Sequence, residues 1–240
     1  MVGPFARRRR RGSTRRDGGT VSPMRKAPCS CCYDKEFDEK TAVEHLRNYR
    51  KAGPPRATRF LADELAPGTA DGLTILDIGG GVGALHHLLL ERGATAALDV
   101  DASRPYLDAA RAEAERLALG DRVSFEYGDF VAIADRVGPA DLVALDRSVC
   151  CYPDMHSLVG LAAARTRRRL GLVLPRDLAI VRFAIRVINL FQWLRRSEFR
   201  VHAHDHREIE RVAREAGLDP VSKRTSGIWS ILVYGRPPQS

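Results

Sequence analysis

From residue 34 to 65, apolar side chains return at intervals of three and four. They are Phe37, Val43, Leu46 and Tyr49, then, past the Pro54-Pro55 break, Phe60, Leu61 and Leu65. That spacing predicts a preamble of helices. Beyond residue 70 the pattern changes to short apolar runs separated by longer amphipathic stretches. Strands are expected at Leu73 to Ile78, Ala96 to Val100, Val123 to Tyr127, Leu142 to Leu145 and Leu170 to Leu174, the last closed by Pro175. Helices are expected at Ala84 to Arg92, Ser103 to Leu119 and Met155 to Arg169. Strands alternating with helices of this length imply right-handed crossovers and a parallel sheet covered on both faces.

Three further elements follow. An apolar helix is expected from Leu178 to Leu194, and another from Arg207 to Ala216, with Asp205 and Glu208 spaced as a capping box. Strands at about 220–224 and 228–234 read as a hairpin across Thr225-Ser226-Gly227. The expected fold is thus α/β, a doubly wound, mostly parallel seven-stranded sheet ending in an antiparallel hairpin, with an N-terminal helical lid. In domain terms this gives an Arg-rich tail over residues 1–26, a lid over 27–70 and a main domain over 71–240 with a helical cap at about 178–196.

Charge adds little once it is located. The chain of 240 residues carries a net charge of +9, but residues 1–23 hold seven arginines against Asp17, leaving only +3 for the remainder. A head so rich in Arg, Gly, Ser and Pro cannot bury enough surface to order itself, and it reads as a disordered tail. RNA and anionic lipid are the partners such a tail suits, with nucleic acid the less expected, and the tail reads equally as upstream sequence because Met24 offers a second start. No apolar core follows the arginines as a secretory signal requires, and no uncharged apolar run reaches the ~18 residues of a membrane span. The expected location is cytoplasmic. Five cysteines fall in two clusters, Cys29/Cys31/Cys32 and Cys150/Cys151. The C-x-C-C spacing lacks the C-x-x-C of a zinc knuckle, so no metal is expected there.

The chemistry concentrates at residues 76–83, L-D-I-G-G-G-V-G. Glycines at 79, 81 and 83 put a tight turn after the first strand, where a nucleoside-bearing cofactor can lie against bare backbone. Gly79, Gly81 and Ala84 also satisfy the dinucleotide fingerprint, with Asp99 and Asp101 near its expected downstream acid, so an NAD-dependent oxidoreductase competes. Three features favour a different ligand. Asp77 can take a cationic ammonium, where a pyrophosphate would be repelled. Asp101, with Asp99 as fallback, can accept from ribose hydroxyls. Gly128-Asp129-Phe130 offers an acceptor and an aromatic face to an adenine.

These motifs, D-x-G-x-G-x-G followed by acids after strands two and three, resemble those of class I S-adenosylmethionine-dependent methyltransferases, over about residues 40–240. The resemblance implies a Rossmann-like fold and S-adenosylmethionine as cofactor. It implies a cofactor site of Asp77, Gly79, Gly80, Gly81, Gly83, Asp101, Ala102, Asp129, Phe130, Asp146, Arg147 and, from the lid, Tyr49. Arg59 is a second lid contact. An RNA methyltransferase is the weaker variant, since D-R-S-V stands after strand four in place of N-P-P-Y or D-P-P-Y. A non-catalytic cofactor-binding protein is a further alternative.

On the acceptor side, D-R-S-V-C-C-Y-P-D over 146–154 falls at the C-terminal sheet edge, where Arg147, Cys150, Cys151 and Tyr152 are candidate lining. This segment and F-R-V-H-A-H-D-H-R-E-I-E-R are similar to magnesium-protoporphyrin IX O-methyltransferases, which methylate a carboxylate. Tyr152-Pro153 keeps that family's H-Y-P pattern, while Cys151 replaces its His and His204 falls on its second His position. His204, Arg147 and Tyr152 are therefore the catalytic candidates, with a small anionic or carboxylate-bearing acceptor methylated at oxygen. His202, His204 and His206 alternate as a metal site would, but such residues more often lead into a helix. The 178–194 helix carries Arg182, Arg186 and Asn189 on one stripe amid apolar positions. It suits a cap over an acidic substrate, a homodimer contact or a peripheral membrane surface.

Overall fold

The computed structural model describes residues 36–237. The Arg-rich tail, the start of the lid and Cys29, Cys31 and Cys32 lie outside the described residues. Helix α1 (Glu39–Ala52) starts where Asp38 accepts the Thr41 amide at 2.9 Å, and ends at Gly53, whose φ of +72° suits glycine. Helix α2 (Arg56–Leu65) follows the two prolines. The alternating region comprises β1 (Thr74–Ile78), α3 (Ala84–Glu91), β2 (Ala96–Asp101), α4 (Arg104–Arg116), β3 (Val123–Tyr127), α5 (Phe130–Ile133), β4 (Ala140–Asp146), α6 (Met155–Ala164) and β5 (Thr166–Pro175). It is completed by α7 (Ala179–Leu194), α8 (His206–Glu215), β6 (Asp219–Ser226) and β7 (Trp229–Gly235).

The sheet order is β3-β2-β1-β4-β5-β7-β6, with β7 antiparallel to both neighbours and the pairs among β1 to β5 all parallel. This is the expected seven-stranded sheet with its closing hairpin. Alternate residues of each strand enter opposite cores. Ile75, Leu142 and Val173 face α2, α3 and α4, while Leu76, Val143, Leu172 and Leu232 face α5, α6 and α8.

Two readings change. The helix expected to reach Arg169 stops at Ala164, because Thr166 already pairs with Ala140 in the β4–β5 ladder and its hydroxyl donates to the Ala162 carbonyl at 2.9 Å. The arginines of 167–169, which suit a helix C-terminus, are strand residues. The expected capping box is a single cap: Asp205 accepts the Arg207 amide at 2.8 Å, but Glu208 pairs with Arg211.

Candidate functional site

The turn after β1 is built around missing side chains. Gly79, Gly81 and Gly83 have φ of +71°, +60° and +82°. Gly80 needs space instead: a Cβ there would stand 2.5 Å from Asp99 Oδ1, and one on Gly79 would stand 2.7 Å from Ser148 Cβ. Above this turn, at the C-terminal ends of β1, β2 and β4, lies a cavity of about 590 Å³. Its walls include Gly79, Gly80, Gly81, Asp101, Ala102, Asp129, Phe130, Asp146, Arg147 and Tyr152, and, from the N-terminal helices, Tyr49 and Arg59. Twelve residues spread over more than a hundred positions of sequence thus meet in one space.

Each carboxylate is held by hydrogen bonds, from backbone for Asp101, from backbone and a side chain for Asp129, and from side chains for Asp146. Asp101 ends β2, and its two oxygens accept the amides of Ser103 (2.8 Å) and Gly81 (3.2 Å). Burial pushes its pKa up to about 6 against these hydrogen bonds. Asp129 caps α5 by accepting the Val131 amide at 3.0 Å, and its other oxygen accepts the Tyr152 hydroxyl at 3.0 Å. Burial, then the Asp129 charge, drives the Tyr152 hydroxyl well above the ordinary tyrosine range. Asp146 accepts from Thr58 Oγ1 (2.5 Å) and from Arg147 Nε (3.0 Å). Arg147 takes a left-handed φ of +63°, uncommon for a side chain of its size, which aims it along the cavity wall.

The helical wall supplies residues the sequence reading passed over. His45 Nδ1 lies 2.6 Å from the Tyr106 hydroxyl, and both rings line the cavity with Phe37, Asn48 and Arg56. Burial, then Arg147, holds His45 below its ordinary pKa, so it is a neutral imidazole near pH 7. Ser148 Oγ is buried at the wall without a hydrogen-bond partner. The signal for His45 was present, since it shares a helix face with Tyr49 at a spacing of four.

Asp77 requires correction. It is fully buried and absent from the cavity wall, bonded through Oδ2 to His86 Nδ1 at 2.9 Å. It faces Asp99 in register across β1 and β2, and both carboxyls lie directly beneath Gly80. Burial and the charges of Asp77 and Asp101 hold the Asp99 carboxyl well above the usual range, so Asp99 is no substitute for Asp101. Neighbouring His87 is buried with neither ring nitrogen hydrogen-bonded, and burial, then His86, lowers its pKa to about 3. Gly83 also sits off the cavity wall, beginning α3.

His204 stands apart from the cavity as well. Its Nε2 lies 3.1 Å from the Val149 carbonyl and 2.9 Å from that of Tyr152, so it donates to these and latches the turn over 149–152. His206 Nε2 lies 3.0 Å from the Pro175 carbonyl. Among the described residues, no three His, Cys, Asp or Glu side chains come together as a metal set. Cys151 lines the cavity, its Sγ 3.9 Å from that of Cys150, and the Cys150 thiol together with burial pushes it up, leaving it a protonated thiol. No residue of α7 lines the cavity, so the expected cap does not face it. The stripe divides: Asn189 turns inward to bond Val201, while Arg182 and Arg186 are exposed. Among the described residues no helix is long and apolar enough to cross a membrane.

No family model matches the chain, and no curated protein matches it. Solved structures do. Magnesium protoporphyrin IX methyltransferase from Synechocystis PCC 6803, with bound SAH, superposes with a TM-score of 0.65 at 20% identity, covering 84% of this chain and 97% of that one. An O-methyltransferase family protein from Burkholderia thailandensis gives 0.67 at 21%, covering 85% of this chain and 62% of that one. The [4+2]-cyclase SpnF gives 0.63 at 15%, covering 88% and 98%. The chain has their fold. Because that fold serves both methyl transfer and a cyclisation, the reaction has to be argued from the site.

Proposed function

We propose that the protein is an S-adenosylmethionine-dependent methyltransferase acting at an oxygen of a small anionic acceptor. One observation carries the reading: Asp101 and Asp129, at the ends of the neighbouring strands β2 and β3, line a single cavity beside a glycine turn with no space for a Cβ at Gly79 or Gly80. A ribose has Asp101 as acceptor and an adenine has Asp129 and Phe130. The orphaned Ser148 hydroxyl is a further donor for a cofactor at that wall. The residues present therefore fit the group. The buried carboxyls of Asp77 and Asp99 beneath Gly80, with no Lys or Arg among the glycines of the turn, offer a pyrophosphate no counter-charge there. This favours the methyl donor over NAD.

When bound, S-adenosylmethionine supplies an electrophilic methyl group. The protein's part is to align the acceptor and keep water out. Arg56, Arg59 and Arg147 give the cavity three cationic groups, a match for a carboxylate acceptor that needs no base. For an acceptor that carries a proton, neutral His45 is the group on the wall able to take it. The magnesium protoporphyrin IX methyltransferase in the comparison supports an acid-bearing acceptor, although the histidine of that family's H-Y-P pattern is Cys151 here. Calorimetry with S-adenosylhomocysteine and NADH tests the cofactor: tight binding of the first and none of the second is expected, and the reverse refutes it. Mass spectrometry of host extract incubated with a deuteriomethyl cofactor tests the acceptor, an alkali-labile labelled ester being the expected product.

A further inference from the structure

Helix α7 is an apolar element with almost no interior. Of its sixteen residues only Ile185 is buried. Ile180, Phe183, Val187, Leu190, Phe191 and Leu194 recur at helical spacing on the side opposite Ile185. Ile180 is 74% exposed, Phe183 64% and Phe191 61%. A patch of this kind is rare on a monomer without a partner.

The surrounding charge selects the partner. The helix contains no acid, and residues 176–200 hold six arginines against Asp177 and Glu198. Arg182 and Arg186 border the apolar face, Arg195 and Arg196 follow its end, and Asp177 is already paired with Arg182 at 2.8 Å. A second copy laid on this face would set arginines against arginines. A surface of anionic headgroups over an apolar layer accepts both parts of the helix, the arginine stems reaching up to phosphates while Phe, Leu and Trp193 enter the acyl boundary.

We propose that α7 is an interfacial helix that docks the protein on an anionic lipid bilayer. The docking is also placed to serve the cavity. Asn189 exchanges two hydrogen bonds with the Val201 backbone, at 2.8 and 2.9 Å, and the next amide, His202, donates to Cys150 at 2.7 Å in the turn that leads to the cavity wall.

The test uses the full chain with vesicles of phosphatidylcholine alone or with about one-third phosphatidylglycerol. The arginines at 7–16 adsorb to anionic vesicles by charge, so insertion is read from Trp193 in a Trp229→Phe background, Trp193 and Trp229 being the chain's two tryptophans. The expected result is a blue shift and quenching by brominated acyl chains on anionic vesicles, with affinity at least about tenfold weaker on neutral ones. The triple variant F183S/F191S/L194S, which alters only exposed positions, loses the quenching and keeps the melting temperature. R186Q/R195Q/R196Q stays adsorbed to anionic vesicles through the arginines at 7–16 but shows weaker quenching of Trp193 there than wild type. Unquenched Trp193, or a triple variant that binds and quenches like wild type, overturns the proposal. So does a dimer in sedimentation velocity that the triple variant dissolves while lipid quenching is absent.

Discussion

The Tyr152 hydroxyl donates to Asp129 Oδ2 at 3.0 Å, while the Val131 amide occupies Oδ1. Tyrosine and carboxylate form a unit on the adenine side of the proposed cofactor site. Tyr152 therefore acts through Asp129, with its proton held by burial and by that charge. Replacing Tyr152 by Phe is expected to weaken S-adenosylhomocysteine binding about three- to tenfold, the net worth of one ordinary hydrogen bond, since the bond lost orients Asp129 and does not touch the ligand. Turnover at saturating cofactor should stay within about twofold, whereas loss of a proton-transfer group costs on the order of a hundredfold. Calorimetry and saturation kinetics together separate the two.

Gly80 is the tightest point of the turn. A methyl group there meets the Asp99 carboxyl at 2.5 Å and that of Asp77 at 3.0 Å, both buried and unable to retreat into solvent. Gly80→Ala should lower stability by about 1–3 kcal/mol through overpacking. It should also reduce S-adenosylhomocysteine affinity on the order of a hundredfold as the loop lifts into the cavity. Urea denaturation and calorimetry measure both, and unchanged affinity would remove Gly80 from the site.

Asp101 gives cofactor binding a pH dependence. With its pKa pushed up to about 6, it is ionised above that value and protonated below it. Affinity for S-adenosylhomocysteine should be flat from pH 7 upward and fall by about tenfold per unit below pH 6 as the ionised acceptor is lost. Asp101→Asn should bind weakly with a flat profile over the same range. A wild-type profile without a bend near pH 6 contradicts this role.

The pKa of His87 is shifted the other way, downward, yet its effect too is a loss toward low pH. In the unfolded chain it protonates near 6.5, in the folded protein only near 3, so the unfolded state binds the extra proton between those values. Stability from the neutral ring is whole above 6.5 and declines as pH falls toward 3. His87→Leu removes that loss. Its advantage over wild type should be about 2 kcal/mol greater at pH 5 than at pH 8, at about 1.4 kcal/mol per pH unit. Urea unfolding at the two pH values reads the difference.

How far the sequence could be read follows from the same residues. Strand periodicity and the glycine spacing located β1, the turn and the acids after β2 and β3. They did not tell which acid turns upward. Asp101 is the last residue of β2 and clears the sheet edge, whereas Asp77 is the next-to-last of β1, so the alternation of the pleat sends it under the loop. His204 was misplaced for a related reason, because the two carbonyls it binds belong to a turn fifty residues earlier in the chain. The face shared by His45 and Tyr49 was visible, but no local pattern tells a helix which neighbour it will cover. Helix α5, four residues long, makes barely one turn, too short for a helical period to repeat.

The two N-terminal helices differ in how they are fixed. Half of α2 is buried, with Leu61 and Leu65 pressed onto Gly171 so closely that a Cβ there would stand 2.5 Å from Leu61. Only Ala42 of α1 is buried, in a small cluster with Val82, Ala84 and Tyr106 that Leu46 and Tyr49 pack against, beside two polar ties, Arg50 to Glu113 at 2.7 Å and His45 to Tyr106. What looked like one lid is a door beside its frame, jointed at Gly53 and the two prolines. A ligand leaving past α1 has to part that small cluster and its two polar ties and can leave the two large apolar cores on the faces of the sheet undisturbed.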